Sequence, residues 1–213
     1  GLVKENDWIE MQIYPPQELP ERFGRMAKIV EQRSKVRVDK VKNCKELVKK
    51  YGTSYMDVID VAYQKLYNFQ PLTDRQKRHY CEMYFPLLNF DFVTIVVNEK
   101  DEVVGVGVGM PDISKALRKC QGRLFPFGWW HMLKALRGKN EIVDLMLVAV
   151  KPEYQSKGVN ALLFTELIPA FNGNGYVYAE SNPELELNQK VQSQWQYFDT
   201  TQHKRRRASK KKI

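Results

Sequence analysis

Cysteine and histidine are scarce in this chain, which has three of each among 213 residues. Cys44, Cys81 and Cys120 lie far apart and form no C-x-x-C pair, so the sequence excludes a disulfide framework and favours a reducing, cytoplasmic compartment. The histidines form no H-E-x-x-H motif, and no cysteine or histidine pair has the spacing of a zinc site. We therefore expect no bound metal.

Long apolar runs are also absent. The longest of them, such as Leu145–Val150, have about one-third of the length needed to cross a bilayer. No basic segment followed by an apolar segment marks a secretory signal. We therefore expect no membrane among the partners. The chain begins Gly1-Leu2 rather than with methionine, so we include a preceding domain of a longer chain, or a homodimer, among the expected partners.

Positive charge is concentrated at the C-terminus. The formal net charge is +9, and seven lysines and arginines lie between Lys204 and Lys212, so residues 1–203 carry a net charge of only +2. A nucleic-acid-binding domain spreads basic residues over one face of its fold, so we do not expect nucleic acid as a partner. For the tail itself two interpretations stay open, a nucleic-acid or localisation signal and the final edge strand of a sheet.

The hydrophobic pattern predicts an α+β chain with a mixed sheet. Alternating or β-rich segments predict strands at Asp7–Tyr14, Lys35–Val41, Phe92–Val97, Val103–Val108, Glu141–Val150 and Tyr176–Ala179. Helical spacing and capping residues predict helices at Leu19–Ser34, Cys44–Tyr51, Tyr55–Tyr67, Thr73–Tyr84, Ile113–Cys120, Trp129–Leu136, Gln155–Ala170 and Leu185–Tyr197. We expect residues 1–34 to form a strand–helix extension packed on a single domain that spans residues 35–213.

One strand–turn–helix segment carries the chemistry. The apolar strand ends at Val150, Pro152 prevents its extension, and Gly158 opens a periodic helix. A helix N-terminus presents unpaired N–H groups and the positive end of the helix dipole, which together form an anion site. Glycine lets a ligand approach the backbone, and Lys157 adds a positive charge beside it. The residues therefore predict a turn that binds phosphate.

The same segment resembles the central motif of the GNAT superfamily of acyl-CoA N-acyltransferases. In that family a strand ending in Ala-Val-x-Pro precedes Gln/Arg-x-x-Gly-x-Gly/Ala, and here Ala149–Pro152 precedes Gln155–Asn160. The match holds at Gln155 and Gly158 and departs at Asn160, where the family has glycine or alanine. The resemblance covers residues 90–200 well and residues 16–90 loosely, and it extends to poorly characterised bacterial GNAT proteins with longer chains.

The resemblance implies a GNAT-like central sheet whose strands Glu141–Val150 and Tyr176–Ala179 are parallel and splay apart around the pantetheine arm of acetyl-CoA or another acyl-CoA. The implied cofactor-binding residues are Ala149, Val150, Gln155, Ser156, Lys157, Gly158, Val159, Asn160 and Asn188. The implied activity is direct transfer, in a ternary complex, of an acetyl group to a small amine or amino-acid-like acceptor. The alternative is a catalytically degenerate GNAT module that binds CoA or a partner without turnover.

Two positions bear on catalysis within this resemblance. Asp144 lies among apolar residues of the strand that leads to the motif, where burial would raise its pKa toward a value useful in a general base. Some GNAT enzymes have a glutamate there, and a structural ion pair is the competing interpretation. In many members a tyrosine protonates the CoA thiolate. Counting from Asn188, Trp195 occupies that position here, and an indole cannot act as that acid. Tyr197 is expected on another side of the helix.

Two further features have competing interpretations. Gly105, Gly107 and Gly109 form G-x-G-x-G inside a strand rather than at a strand-to-helix turn, so we expect a closely packed strand and not a nucleotide-binding loop. The aromatic segment Phe125–His131 is either a lid or wall of the acceptor pocket, or a small cluster beneath a long loop.

Overall fold

The structure, a computed structural model, describes residues 1–155 and 157–211. Its strands are β1 (Leu2–Tyr14), β2 (Val36–Asp39), β3 (Val93–Asn98), β4 (Val103–Pro111), β5 (Ile142–Val150), β6 (Tyr178–Ser181), β7 (Glu184–Leu185) and β8 (Asp199–Lys211). Its helices are α1 (Glu21–Ser34), α2 (Cys44–Tyr51), α3 (Ser54–Tyr63), α4 (Asp74–Met83), α5 (Ser114–Cys120), α6 (Gly128–Arg137), α7 (Pro152–Gln155), α8 (Val159–Gly173) and α9 (Gln189–Gln192). Of the predicted positions, Ser156 and the end of the tail at Lys212 lie outside the described residues.

The described strands form one mixed sheet in the order β2-β3-β4-β5-β6-β1-β8, with the short β7 beside β6 on the same edge of β1. Among the described pairs, β5 and β6 run parallel and all others run antiparallel. The predicted α+β class with a mixed sheet is confirmed.

The N-terminal strand lies inside this sheet. β1 begins at Leu2, five residues earlier than predicted, and lies between β6 and β8. α1 then packs against α8 through a buried stripe that includes Phe23, Ala27 and Val30. Residues 1–34 therefore contribute a central strand and a core helix, while the predicted division of the chain at residue 34 stays a prediction.

Helices cover both faces of the sheet. On one face, apolar side chains of α2 and α3 pack on alternate residues of β4, such as Val106 and Val108. On the other face lies α8, whose Leu163, Leu167 and Phe171 are almost completely buried. Because α8 is covered by the sheet on one side and by α1 on another, it is apolar around most of its circumference.

The glycines of β4 let α8 approach the sheet closely. A Cβ atom at Gly107 would lie 3.1 Å from Cδ1 of Leu167, and one at Gly109 would lie 2.9 Å from Cε1 of Phe171. The prediction of a closely packed strand is therefore confirmed, since these glycines face a helix of the core.

The basic tail forms β8, which pairs with β1 along its length. The carboxylate of Asp7 is fully buried and accepts hydrogen bonds from the guanidinium groups of Arg205 and Arg207 at 2.8–3.0 Å. The Arg207 hydrogen bonds hold the pKa of Asp7 well below its usual range. The edge-strand interpretation is confirmed, because the cations of the tail pair with acidic side chains of the neighbouring strand.

One acidic cluster on this part of the sheet has the spacing of a metal site. Ligand atoms of Glu10, Glu180 and His203 lie within 4.8 Å of one another. However, Lys204 Nζ lies 3.2 Å from Glu10 and 3.0 Å from Glu180, and Arg206 pairs with Glu10 as well. We interpret the cluster as an ion-pair network that neutralises itself, and the absence of a metal stays a prediction.

We expect Asp7→Asn to lower the melting temperature more than Glu5→Gln. The neutral amide leaves two guanidinium groups without their buried anion, whereas Glu5 pairs only with Lys210 near the end of the same strands, where an exposed ion pair contributes little. Thermal unfolding followed by circular dichroism measures both changes. Equal melting temperatures for the two variants would contradict the structural role of the tail.

Candidate functional site

β5 and β6 separate partway along their length. Their parallel pairing ends at Leu145 and Ser181, five residues before β5 ends at Val150. Beyond that point β5 has no paired strand on its β6 side among the described residues, and the Val148 carbonyl instead accepts a hydrogen bond from the Tyr63 hydroxyl at 3.1 Å. The splayed parallel strands implied by the resemblance are therefore present.

The separation starts at a β-bulge. Val108 and Gly109 are consecutive in β4, but they pair with Leu147 and Leu145 of β5, so Met146 is the extra residue. A bulge bends its strand and increases the local twist, and it reverses which side chains face each side of the sheet. The last part of β5 therefore turns away from β6, and an opening forms between the two strands.

The turn after β5 presents the N-terminus of α8 at this opening. The Gln155 side chain donates a hydrogen bond to the Val150 carbonyl at 2.9 Å, which closes the turn. Gly158 is the N-cap of α8 with a φ of 78°, a left-handed conformation that favours glycine. The helix thus begins at Val159 and not at Gln155 as predicted. Because Gly158 has no side chain to cap the helix, the first N–H groups of α8 stay available for an anion.

These elements line one cleft of about 1040 Å³. Six of the predicted cofactor residues line it, namely Ala149, Val150, Gln155, Gly158, Asn160 and Asn188. Val159 instead lies fully buried in the core, and the Lys157 ammonium stacks 4.7 Å from the centre of the Tyr154 ring. The structure therefore brings most of the predicted residues to one cleft, and their role in cofactor binding stays a prediction.

Asn160, the departure from the family motif, reaches across the cleft. Its side-chain amide donates a hydrogen bond to the Gln194 side chain at 3.2 Å, and both residues line the cleft. The bond joins the first turn of α8 to the 3₁₀ turn Ser193–Tyr197. A glycine or alanine could not form this link, so the Asn160 side chain narrows the cleft beside the helix N-terminus.

Trp195 has a structural role that the sequence did not reveal. It is buried against Phe164, and its indole N–H donates a hydrogen bond to Glu184 at 2.9 Å. Burial raises the pKa of Glu184 to about 7, although the hydrogen bond from Trp195 opposes the shift. The second carboxyl oxygen of Glu184 is buried and has no hydrogen-bond partner among the described residues.

Glu184 is not among the residues that line the cleft, although its neighbour Leu185 is. It begins β7, after the two residues that follow β6, and pairs with Ile9 of β1. Burial raises the pKa of Tyr63, and the negative charge of Glu184 adds to this effect, so the two groups interact. Sequence reasoning missed Glu184 because only the pairing of distant strands brings it to this place.

The predicted helix Leu185–Tyr197 is wrong. Its residues form β7, the single turn α9 and the 3₁₀ turn Ser193–Tyr197. Because a 3₁₀ turn has three residues per turn, the spacing expected for an α-helix does not apply. Tyr197 consequently lines the cleft, whereas the prediction had placed it on another side of the helix.

Asp144 is not among the residues that line the cleft. It lies on β5 between Met110 and Glu180, before the bulge. Burial raises the pKa of Asp144 to about 6, and the nearby negative charges of Asp112 and Glu180 add to this. Asp144 forms no ion pair with any described residue, and its role as a base stays a prediction.

The structure contradicts the buried cluster and the cleft wall as interpretations of the aromatic segment, and its role as a lid stays a prediction. Phe125 and Phe127 are 81% and 74% exposed, so they do not form a cluster beneath a loop. They are also absent from the described lining of the cleft, so they do not form its wall.

Comparisons with known proteins place this geometry in a known fold. No protein-family model matches the chain, and no curated protein matches it in sequence. A GCN5-related N-acetyltransferase from Sphaerobacter thermophilus is similar in structure with a TM-score of 0.57 and 12% identity, over 98% of this chain and 52% of that chain. The glucosamine N-acetyltransferase region of a fungal multi-domain GH3 β-N-acetylglucosaminidase is similar with a TM-score of 0.53 and 10% identity, over 98% of this chain and 21% of that chain.

The resemblance to the GNAT superfamily is thus confirmed for the fold. The chain spans about half the length of the first of these structures and about a fifth of the second. At such low identity the likeness shows a GNAT fold, and it does not extend to a substrate.

The raised pKa of Glu184 predicts a stability that falls as the pH rises. The folded protein keeps this proton up to about pH 7, whereas an ordinary glutamate loses it near 4.5. The free energy of unfolding therefore decreases across that interval, by about 1.4 kcal/mol for each unit of pKa shift. Glu184→Gln removes the titrating group, so its melting temperature should change less with pH than that of the wild type.

The control for this measurement is Glu153→Gln, which changes an exposed carboxylate of α7. It should keep the pH profile of the wild type. If Glu184→Gln also keeps that profile, the buried state of Glu184 is contradicted.

Proposed function

We propose that the chain is an acyl-CoA-dependent N-acyltransferase, with acetyl-CoA as the default donor and a small amine or amino-acid-like molecule as the acceptor. The observation that carries the proposal is that the opening between β5 and β6 and the N-terminus of α8 meet in one cleft. The opening exposes the part of β5 that has no neighbouring strand on this side among the described residues, and the amide groups of a pantetheine arm would lie along it. The helix N-terminus offers N–H groups to a pyrophosphate.

The charge of the cleft supports the same donor. Arg22, Lys65 and Lys190 line it, and Glu5 is the acidic residue of the described lining. CoA carries a pyrophosphate and a further phosphate, so these cations complement it. The GNAT fold and the acetyltransferase activity named for both similar structures agree with this choice.

The chain's own residues can supply the groups that the transfer needs. The acyl-CoA thioester contributes the electrophilic carbonyl, which the acceptor amine attacks directly. A backbone N–H of β5 near Val150 would donate to the carbonyl oxygen, where negative charge develops. Binding both substrates in one cleft would supply much of the acceleration through their positioning.

Glu184 is our candidate for the base that takes the proton from the amine. Its pKa of about 7 allows both protonation states near neutral pH, which is the condition for efficient proton transfer. The Trp195 indole cannot itself act as an acid, but its hydrogen bond holds the Glu184 carboxyl group in place. Tyr197 on the wall of the cleft is available to protonate the departing thiolate.

We expect acetyl-CoA to raise the melting temperature of the protein. A ligand at about 100 times its dissociation constant contributes roughly 2.7 kcal/mol to stability. Gly158→Leu should abolish binding, because a side chain there would stand where the pyrophosphate approaches. Gly175→Leu is the matched control, since Gly175 has a similar φ of 76° and Gly158 has one of 78°.

Isothermal calorimetry with folded protein separates binding from stability in both variants. Binding that is lost in Gly158→Leu and kept in Gly175→Leu supports the proposed cofactor site. A wild type that gives neither heat nor a thermal shift contradicts the function, although the fold would stand.

We expect Glu184→Gln to lower kcat by roughly 100-fold to 10,000-fold, the usual contribution of a general base. The assay is thiol release from acetyl-CoA with a panel of amines and amino acids. The rate of the wild type should rise with pH toward a plateau above about 7, and the variant should lose this dependence.

Asp144→Asn tests the residue that the sequence favoured. If this variant loses activity while Glu184→Gln keeps it, Asp144 is the base and our choice is wrong. If acetyl-CoA binds but no amine is acylated, the degenerate alternative replaces the enzyme.

A further inference from the structure

α5 and α6 form a helical hairpin between β4 and β5. The helices pack mainly on each other, and the base of the hairpin is closed by a backbone hydrogen bond from Asp112 to Ile142 at 3.0 Å. The Asn140 side chain adds a second bond, to the Asp112 carbonyl at 2.7 Å. The hairpin is therefore anchored at its base. Its far end contributes no residue to the described core clusters or to the described lining of the cleft.

The hairpin is strongly basic. Residues 113–140 contain no acidic residue, and they contain seven lysines and arginines: Lys115, Arg118, Lys119, Arg123, Lys134, Arg137 and Lys139. All seven are exposed. None of them forms an ion pair with a described residue, in contrast to the cations of β8, which pair with Glu5, Asp7 and Glu10. The hairpin is therefore a concentrated patch of positive charge that no described acidic side chain pairs with.

The tip of the hairpin presents large apolar side chains to solvent. The tip comprises five exposed residues: Leu124 at 52%, Phe125 at 81%, Phe127 at 74%, Trp129 at 46% and Trp130 at 56%. Monomeric proteins rarely expose such a contiguous apolar patch unless it contacts a partner.

The backbone holds these side chains outward. A Cβ atom at Gly128 would lie 1.7 Å from the Arg123 carbonyl oxygen, so the loop packs directly on the start of α6. The Trp129 backbone N–H donates to the Leu124 carbonyl at 2.8 Å, and its indole N–H donates to the Pro126 carbonyl at 3.0 Å. The tip is therefore a defined surface and not a loose loop.

We propose that this tip docks on an anionic lipid surface. The tip combines exposed tryptophan, phenylalanine and leucine side chains with surrounding lysines and arginines. This composition is typical of surfaces that bind at the headgroup region of a bilayer. The apolar rings enter the interface, and the basic residues contact negatively charged headgroups. The contact is peripheral, because none of the described helices is long and apolar enough to span a membrane.

Charge also argues against a second copy of the chain as the occupant. Two tips brought together would place two sets of seven unpaired cations side by side, and like charges repel. This proposal departs from the sequence-based expectation that no membrane is a partner, and it does not depend on the proposed acyl transfer.

Sedimentation with lipid vesicles tests the proposal. The chain should bind vesicles of equal parts phosphatidylcholine and phosphatidylglycerol at least tenfold more tightly than vesicles of phosphatidylcholine alone. The double variant Phe125→Ser, Phe127→Ser should lose this binding and keep the melting temperature of the wild type, because both rings are exposed. Leu87→Ser is the control, since Leu87 is 54% exposed outside the hairpin.

Two further measurements separate insertion from simple charge attraction. Tryptophan emission should shift to shorter wavelength on anionic vesicles, and Trp129→Phe with Trp130→Phe should remove the shift. Replacing Arg118 and Lys119 by glutamine should weaken vesicle binding more than the same change at Lys45 and Lys49, which are exposed basic residues of α2.

Three results would overturn the proposal. The first is equal and negligible binding to both kinds of vesicle. The second is binding of single-stranded or duplex nucleic acid that the tip variants abolish, without vesicle binding. The third is self-association, measured by sedimentation velocity, that the tip variants abolish, without vesicle binding.

Discussion

The β-bulge at Met146 determines where β5 leaves β6, and the candidate site depends on that separation. In a regular parallel pair the backbone groups of both strands satisfy each other, and no ligand can compete for them. The extra residue follows the last pair at Leu145, and the rest of β5 has no neighbouring strand on that side among the described residues. The same residue lets Leu145 and Val148 both face α8, so the strand keeps its core contacts while it changes direction. One inserted residue therefore creates an opening without loss of packing.

Burial accounts for the unusual electrostatics of Glu184. A carboxylate at the start of a short strand is ordinarily hydrated, but here β1, Trp195 and Ser181 surround it. The hydrogen bond from Trp195 does not offset the lost hydration, so the neutral form is favoured. The buried tryptophan is therefore compatible with proton transfer. It holds the carboxyl group that we propose as the base for the amine, while the protonation of the thiolate falls to Tyr197 in our proposal.

Sequence reasoning predicted the parts of the fold that depend on neighbouring residues. The strand ending at Val150, the turn with Gly158 and the pairing of the tail each follow from local patterns of apolar, glycine and basic residues. The bulge at Met146 and the position of Glu184 depend on register between distant strands, which no local pattern reports. The helix predicted through Tyr197 failed for a related reason, because contacts of Trp195 with the core impose a 3₁₀ turn that intrinsic propensity does not favour.

Charge shows most clearly why composition alone misleads. The tail and the α5–α6 hairpin each contribute seven lysines and arginines, and the net charge of the chain does not distinguish them. In the tail, the register of β8 on β1 places Arg205 and Arg207 beside Asp7. Their charge is therefore neutralised by ion pairs that hold the two strands together. The cations of the hairpin form no ion pair with a described residue, so their field extends into solvent, where it can act on a partner. Residues 1–203 are near neutral because the seven cations of the hairpin offset a net charge of −5 in the rest of that segment, and the same hairpin carries the aromatic tip.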